Sequence, residues 1–224
     1  MKQIRLQKLC WMGIILPALL LTLLLAACGS DDPTPAPTAA PTATSLPMAT
    51  PANDQAASAA PAILPGSVTE TVGAPQPGPI EGSLVYTDLP RNHRPDRISY
   101  PMNPPVGGDH NPAWLNCGVY TVTLPAELAV HSMEHGAVWI TYLPDLPADQ
   151  VATLKTLTKA GAFRLLNPNP GQDSPIIATA WGVQLKLQSA DDPRLQEFIS
   201  RYENRPDGPE FGAPCSGAYG EPEK

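Results

Sequence analysis

The sequence predicts a single α+β domain with a small, mostly antiparallel sheet and about two helices, preceded by a disordered stalk. The first observation is the placement of proline. The chain has 29 prolines, and residues 31–80 combine many of them with no Lys or Arg, a composition that buries too little apolar surface to fold. The second is that residues 81–216 have the size of one domain with one core and switch between strand and helix periodicity over short intervals. Together these features favour one α+β unit at the end of a tether.

The amino-terminal segment has the features of a secretory signal. A positively charged start is followed by a long uncharged stretch, which has the length of either a signal or a bilayer span. The run Leu25-Ala26-Ala27-Cys28 resembles the lipobox of bacterial lipoproteins, in which cleavage precedes a cysteine that is then acylated. We therefore expect residues 1–27 to be a signal peptide and residues 28–80 to be a lipidated cysteine with a Pro/Thr/Ala-rich stalk. Membrane lipid at Cys28 would hold the protein on the extracytoplasmic face of the cell membrane; an uncleaved anchor is the alternative.

The net charge of the chain limits the classes of partner that it can bind. A net charge of −7 argues against nucleic acid, because no basic patch remains to neutralise phosphates. The pattern identifies no protein partner and no substrate. Residues 217–224 read as a short tail after the domain.

Within the domain, apolar spacing predicts four strands and two helices. Alternating or β-branched runs predict strands over Gly118–Leu124, Ala137–Tyr142, Phe163–Leu166 and Ile176–Leu187, the last with Gly182 as a bulge. Helical spacing with capping signals predicts helices over Ala148–Ala160 and Asp192–Tyr202. The segment Arg91–Leu115 has neither period and is rich in Pro, Gly and Asn, so we expect a long ordered loop with a functional role.

Two of the four cysteines are candidates for a disulfide. Cys10 lies in the predicted signal and Cys28 at the predicted lipidation site, so Cys117 and Cys215 remain as a pair in an oxidising compartment. A disulfide between them would tie the Gly/Pro-rich carboxy-terminal segment to the domain. Metal ligation by these two cysteines is the competing interpretation.

The four histidines of the chain lie close together in the sequence, at His93, His110, His131 and His135. The last two are spaced i, i+4, which places both imidazoles on one side of a helical turn. His110, at the end of a Pro- and Gly-rich loop, is the natural third metal ligand, and His93 is a fourth ligand or supports the others. Glu134 is expected to orient an imidazole. The alternative is a structural or interaction domain whose histidines are simply hydrogen-bonded.

The implied cofactor is a transition-metal ion, copper or zinc. Met102 and Met133 lie beside the histidines in the sequence, and thioether with imidazole suits copper, whereas imidazole with carboxylate suits zinc. On a helical turn Met133 would point away from both neighbouring histidines, which favours core packing for it. The sequence leaves the choice of metal open.

The run His131-Ser132-Met133-Glu134-His135 also matches the inverted zinc-peptidase signature, with Glu134 as general base and a distant glutamate as third ligand. The candidates for that glutamate are Glu197, Glu203 and Glu210. However, Gly136 and the strand after it cut short the long helix in which this signature normally sits. We therefore expect a non-catalytic metal-binding lipoprotein, with a zinc-dependent hydrolase as the alternative.

Across the predicted domain the sequence resembles the family of domains of unknown function numbered 3105. The resemblance covers about residues 90–210 and is carried by Pro104–His110, Trp114–Tyr120, Val130–Gly136, Ile140–Tyr142, Ala178–Gly182 and Phe198–Tyr202. Its most specific part is the His-Ser-x-Glu-His-Gly block, and the sequence departs from the usual Ser-Gly and Leu of the family at Gly107-Gly108-Asp109 and Met133. The resemblance implies an extracytoplasmic bacterial protein with a membrane-anchored amino terminus and no established activity.

Overall fold

The computed structural model describes residues 64–223, with side chains from residue 69 onward. The predicted signal, Cys28 and most of the predicted stalk lie outside the described residues. The strands of the described part are β1 (Leu64–Thr69), β2 (Gln76–Pro77), β3 (Ser83–Val85), β4 (Asp96–Ser99), β5 (Gly118–Val119), β6 (Val138–Tyr142), β7 (Arg164–Pro168), β8 (Ile176–Ala180) and β9 (Val183–Leu187). The helices are α1 (Ala126–Glu134), α2 (Ala148–Lys159) and α3 (Pro193–Tyr202).

Seven of these strands form one sheet in the order β2-β3-β9-β8-β6-β7-β5. Neighbours from β2 through β6 are antiparallel, whereas β7 runs parallel to both β6 and β5. β1 and β4 form a separate parallel pair. The predicted α+β class and the mostly antiparallel sheet are therefore confirmed.

The sheet is covered on both faces, because β6 buries every side chain that it carries. Ile140 packs in one apolar cluster with Leu154 of α2 and Phe198 of α3. Trp139 points to the opposite face, as the two-residue period of a strand requires, and packs in a second cluster with Leu128 of α1. Hence α2 and α3 lie on one face of the sheet and α1 lies on the other.

The two predicted helices are confirmed as α2 and α3, and the structure adds α1. α3 begins as its sequence predicts, because the Asp192 side chain caps it by accepting a hydrogen bond from Arg194 N (3.0 Å), with Pro193 in the first turn. α1 has no side-chain cap and only nine residues. The sequence therefore predicted only its final turn, the one that carries the paired histidines.

Two strand predictions need correction. Of Gly118–Leu124, only Gly118 and Val119 pair in the sheet. Ile176–Leu187 is the hairpin of β8 and β9 and not one strand with a bulge. Gly182 makes the turn with a φ of +73°, which glycine adopts without steric cost. The apolar pattern hid this turn, because β8 is buried along its whole length and a fully buried strand shows no alternation.

The folded part extends beyond the predicted limits of 81–216. Upstream, β1 and β2 precede residue 81, and Glu70 and Ile80 are buried. Downstream, Tyr219 forms a bridge with Leu115, so the predicted tail lies along the edge of the sheet beside β5. Composition alone could not reveal these boundaries, because a Pro-rich stretch with a few well-placed apolar residues resembles a tether.

Cys117 and Cys215 form a disulfide, as the sequence predicts, across a sequence separation of 98 residues. The backbones also meet there, because Cys117 N donates to Cys215 O (2.7 Å). With the two sulfurs bonded to each other, the competing assignment of these cysteines as metal ligands does not hold. Within residues 64–223, each helix is too short or too polar to cross a bilayer.

Candidate metal centre

The four histidines lie in one cluster beside α1. The rings of His93, His110 and His131 lie 4.7–4.9 Å apart, centroid to centroid, and those of His131 and His135 are 4.6 Å apart. One potential ligand atom from each of His93, His110, His131 and Glu134 lies within 4.8 Å of the others. We call these four residues the inner group. The imidazoles therefore converge, as the spacing in the sequence predicts.

Two loop segments deliver His93 and His110, and hydrogen bonds between their backbones hold them side by side. His110 N donates to Asn92 O (3.0 Å), and Arg94 N donates to His110 O (2.7 Å). The Asp109 carboxylate reinforces this pairing by accepting from the backbone N (3.0 Å) and the side-chain Nδ2 (2.7 Å) of Asn92. The segment Arg91–Leu115, predicted to be a long loop, contains the short strand β4, and these hydrogen bonds fix the rest of it at the site.

Glu70, which follows β1, supports the same loop. Its carboxylate accepts a hydrogen bond from Asp109 N, and a Cβ atom on Gly108 would collide with it. The φ of Gly108 is +116°, which is a second reason why this position requires glycine. Oε2 of Glu70 is buried without a hydrogen-bond partner, and burial raises the pKa of this carboxyl group. No local pattern points to Glu70, because the contact spans 39 residues of chain.

α1 supplies the other members of the inner group, His131 and Glu134, which lie three residues apart and therefore on one side of the helix. The loop before β5 docks on this helix through Ser132. Leu115 N donates to Ser132 Oγ (3.0 Å), and the hydroxyl donates to Leu115 O (3.0 Å). α1 ends at Glu134, because Gly136, with a φ of +103°, turns the chain towards β6.

Three of the imidazoles are oriented by the same kind of hydrogen bond. The Nδ1 atoms of His110, His131 and His135 each lie 2.7 Å from a backbone carbonyl oxygen, those of Gly108, Asn111 and Pro214 respectively. A carbonyl oxygen can only accept, so each Nδ1 must carry the proton. In the neutral form of such a ring, Nε2 keeps its lone pair. This is the arrangement that orients histidine ligands in metal sites.

Electrostatics at the inner group favour a charged Glu134 carboxylate and a neutral His131 imidazole. Glu134 is buried, and its Oε2 lies 2.8 Å from Nε2 of His110 and 3.6 Å from Nε2 of His93. Burial would raise the pKa of Glu134, but the hydrogen bond and charge of His110 outweigh it and hold the pKa below its usual value. Burial lowers the pKa of His131 to about 4, although its bond to Asn111 opposes the shift. His131 is therefore neutral near pH 7, which is the form that binds metals.

A second set of side chains adjoins the first. Glu210, one of the three glutamates singled out in the sequence, places Oε2 at 3.2 Å from Nε2 of His135. Potential ligand atoms of His131, His135 and Glu210 lie within 4.8 Å of one another, and we call these residues the outer group. Glu203 instead forms a salt bridge to β7, and Glu197 is exposed on α3.

Two tryptophans cover the histidine rings. The Trp114 ring lies 4.8 Å from that of His135, and the Trp181 ring lies 5.7 Å from that of His110, edge on. These two indole rings help to shield His110 and His135 from water, which strengthens electrostatic interactions at these two rings.

Comparison of the sequence with known protein families found one match. A family model described as "Protein of unknown function (DUF3105)" matches residues 93–217, a span that contains both groups and both disulfide cysteines. No curated protein and no solved structure matches the chain.

Proposed function

The chain belongs to the DUF3105 family, whose description names no activity, and we propose that its domain is a non-catalytic module that binds one transition-metal ion through the inner group. The three histidines would donate ring nitrogens and Glu134 a carboxylate oxygen. Glu134 was expected only to orient an imidazole. Its position among the ring nitrogens supports a role as a ligand.

The observation that carries the proposal is the pairing of His110 with Glu134. In the neutral form of His110 the proton is on Nδ1, so Nε2 is an acceptor, and this atom is buried. It faces a second acceptor, Oε2 of Glu134, at 2.8 Å. Two buried acceptors this close require a cation between them, either a proton on Nε2 or a metal ion. A proton would account for this pair alone, whereas the convergence of ligand atoms from all four residues of the inner group within 4.8 Å of one another favours a metal ion.

The donor set favours zinc or copper. Three imidazoles with one carboxylate suit a divalent zinc ion, and imidazole also suits copper. Met133 is fully buried in the apolar cluster beside α1, so it packs as its position on the turn predicts. Met102 is partly exposed in a loop. Coordination of the metal ion by its thioether sulfur stays a prediction.

Four protein ligands support binding rather than hydrolysis. They would complete a tetrahedral coordination sphere, as in structural zinc sites, whereas catalytic sites keep one position open. One contact supports the hydrolase alternative, because the Glu210 carboxylate lies 3.2 Å from Nε2 of His135. This alternative also requires Glu134 to stand free as a base, and this carboxylate lies against His110. The short α1 further departs from the long helix of zinc peptidases.

The proposal is tested by elemental analysis of the full chain, purified without a polyhistidine tag after incubation with zinc or copper. We expect about one ion per chain. His131→Gln should abolish binding, and Glu134→Gln should weaken it by at least about 10-fold, the smallest loss typical even of groups that only orient a ligand. Glu197→Gln, an exposed glutamate on α3, is the matched control and should bind as the wild type does.

Two results would decide against the proposal. A metal content near zero in the wild type after both incubations would refute metal binding. A Glu134→Gln protein that keeps its ion but loses a hydrolytic activity of the wild type would instead support the hydrolase.

We also propose that this domain is anchored to the outer face of the cell membrane by acylation of Cys28. The run Leu25-Ala26-Ala27-Cys28 supports this proposal, and the oxidised Cys117–Cys215 pair fits an extracytoplasmic location. Labelling of cells with a fatty-acid analogue tests it: incorporation into the wild type and its loss in Cys28→Ser are expected, and equal labelling of both would contradict it.

A further inference from the structure

The outer group is more open to solvent at its carboxylate than the inner group. The side chain of Glu210 is 41% exposed, whereas that of Glu134 is 3% exposed. His93 also reaches solvent, with 44% of its side chain exposed, but its imidazole has no negative charge that could attract a cation from a distance. The carboxylate of Glu210 has such a charge.

The carboxy-terminal segment holds the outer group in place. Glu210 N donates to the backbone oxygen of Glu134 (3.2 Å), which fixes Glu210 at the end of α1. Pro214 O accepts from Nδ1 of His135 (2.7 Å), and the next residue, Cys215, is bound by the disulfide. Nε2 of His135 is thus free to coordinate an ion on the side that faces Glu210.

The two groups share His131, and this ring has one lone pair to give. Its Nδ1 proton is committed to Asn111 O (2.7 Å), so only Nε2 can coordinate. One ion at a time can therefore use His131. An ion bound in the outer group occupies the same nitrogen that the inner group needs.

We infer that the outer group is the entry position for the metal ion, from which the ion passes to the inner group while it stays bound to Nε2 of His131. This inference rests on the proposed function. In the passage the bonds from the ion to His135 and Glu210 break, and a water ligand leaves, as bonds to His93, His110 and Glu134 form. An imidazole and a carboxylate are exchanged for groups of the same kind, so the ion keeps its oxidation state, and any proton between His110 and Glu134 is released to water as the metal ion replaces it.

The experiment follows zinc uptake by the full chain in a stopped-flow instrument, with free Zn²⁺ as the probe and a fluorescent zinc indicator as the readout. Release of bound zinc to excess chelator gives the reverse rate. The variants are Glu210→Gln and His135→Gln, with Glu197→Gln as the matched control. Circular dichroism verifies that each protein is folded.

We expect the uptake and release rate constants to fall together in both variants, by about tenfold, as when one charge-assisted contact is lost from a barrier. Their ratio, and hence the dissociation constant, should change much less. The control should exchange zinc at the wild-type rate.

Unchanged rates in Glu210→Gln, two ions bound at once by the wild type, or a slower uptake in His93→Gln alone would overturn the inference. So would a weaker affinity at an unchanged uptake rate, because Glu210 would then be a resident ligand. The proposed function fails separately, if the wild type binds no zinc at all.

Discussion

Glu70 shows how one buried carboxyl group makes stability depend on pH. Burial raises its pKa above the ordinary value of 4.5, so the folded state holds this proton more tightly than the unfolded chain. The stability that this provides is fully present below the ordinary pKa and is lost as pH rises through the raised one. We expect Glu70→Gln to raise the melting temperature at neutral pH and to change it little in acid.

The measurement is thermal unfolding of both proteins over a series of pH values. The amide oxygen of glutamine can still accept the hydrogen bond from Asp109 N, so the comparison isolates the charge. Glu81→Gln, at an exposed glutamate, is the control and should shift no transition. A loss of stability in Glu70→Gln at neutral pH would contradict the expectation.

Individual residues also show which features of the site can be predicted from the sequence. The spacing of His131 and His135 predicted that both rings face one side, because that follows from helix geometry alone. The contributions of the Gly108 and Pro214 carbonyls could not be foreseen. A backbone oxygen carries no sequence signal, and Pro214 lies 79 residues from the ring that it orients.

At the scale of the element, Gly136 links α1 to β6 and lets a distant segment approach. A Cβ atom there would lie 2.9 Å from the Cα of Asn204, whose N donates to Gly136 O (2.8 Å). We expect Gly136→Ala to lower the free energy of unfolding by more than about 1 kcal/mol, because it adds a backbone collision to an unfavourable positive φ. Urea denaturation measures the change.

Gly212→Ala is the matched control, because Gly212 also has a positive φ, +92°, but no atom lies within 4 Å of its Cβ position. It should cost less than Gly136→Ala. Equal losses in the two variants would show that conformation, and not the contact with Asn204, requires the glycine at 136.

Elements differ in how well their sequences predict them. α2 and α3 were predictable because each pairs an apolar stripe with a terminal signal, as at Asp192 and Pro193. α1 was not, since it is buried over most of its length and a helix enclosed on all sides shows no amphipathic stripe. The turn between β8 and β9 could not be predicted either, because both strands are largely buried and show no clear alternation.

At the scale of the whole molecule, the disulfide holds the carboxy-terminal segment against the domain. We expect the double variant Cys117→Ser/Cys215→Ser to lose about 2–4 kcal/mol of unfolding free energy, because the unfolded chain regains the freedom of a long loop. Urea denaturation of the variant and of the wild type with and without reductant measures this. A reduced wild type that is as stable as the oxidised protein would contradict it.

Loss of the disulfide should disturb the outer group more than the inner group. Pro214 and Glu210 lie on the released segment, whereas the inner group is held by α1 and by the loop around Asp109. We therefore expect slower zinc exchange in the double variant, with a dissociation constant close to that of the wild type.

The path of the carboxy-terminal segment beside β5 has a consequence for neighbouring copies of the chain. Glu223 N donates to Val119 O (2.7 Å), so the segment occupies hydrogen-bonding positions at one border of the sheet. The other border, β2, is two residues long and contains Pro77, which has no N–H to donate. Both borders of the seven-stranded sheet therefore leave few free backbone groups to a strand of a neighbouring copy, which disfavours edge-to-edge pairing of this sheet.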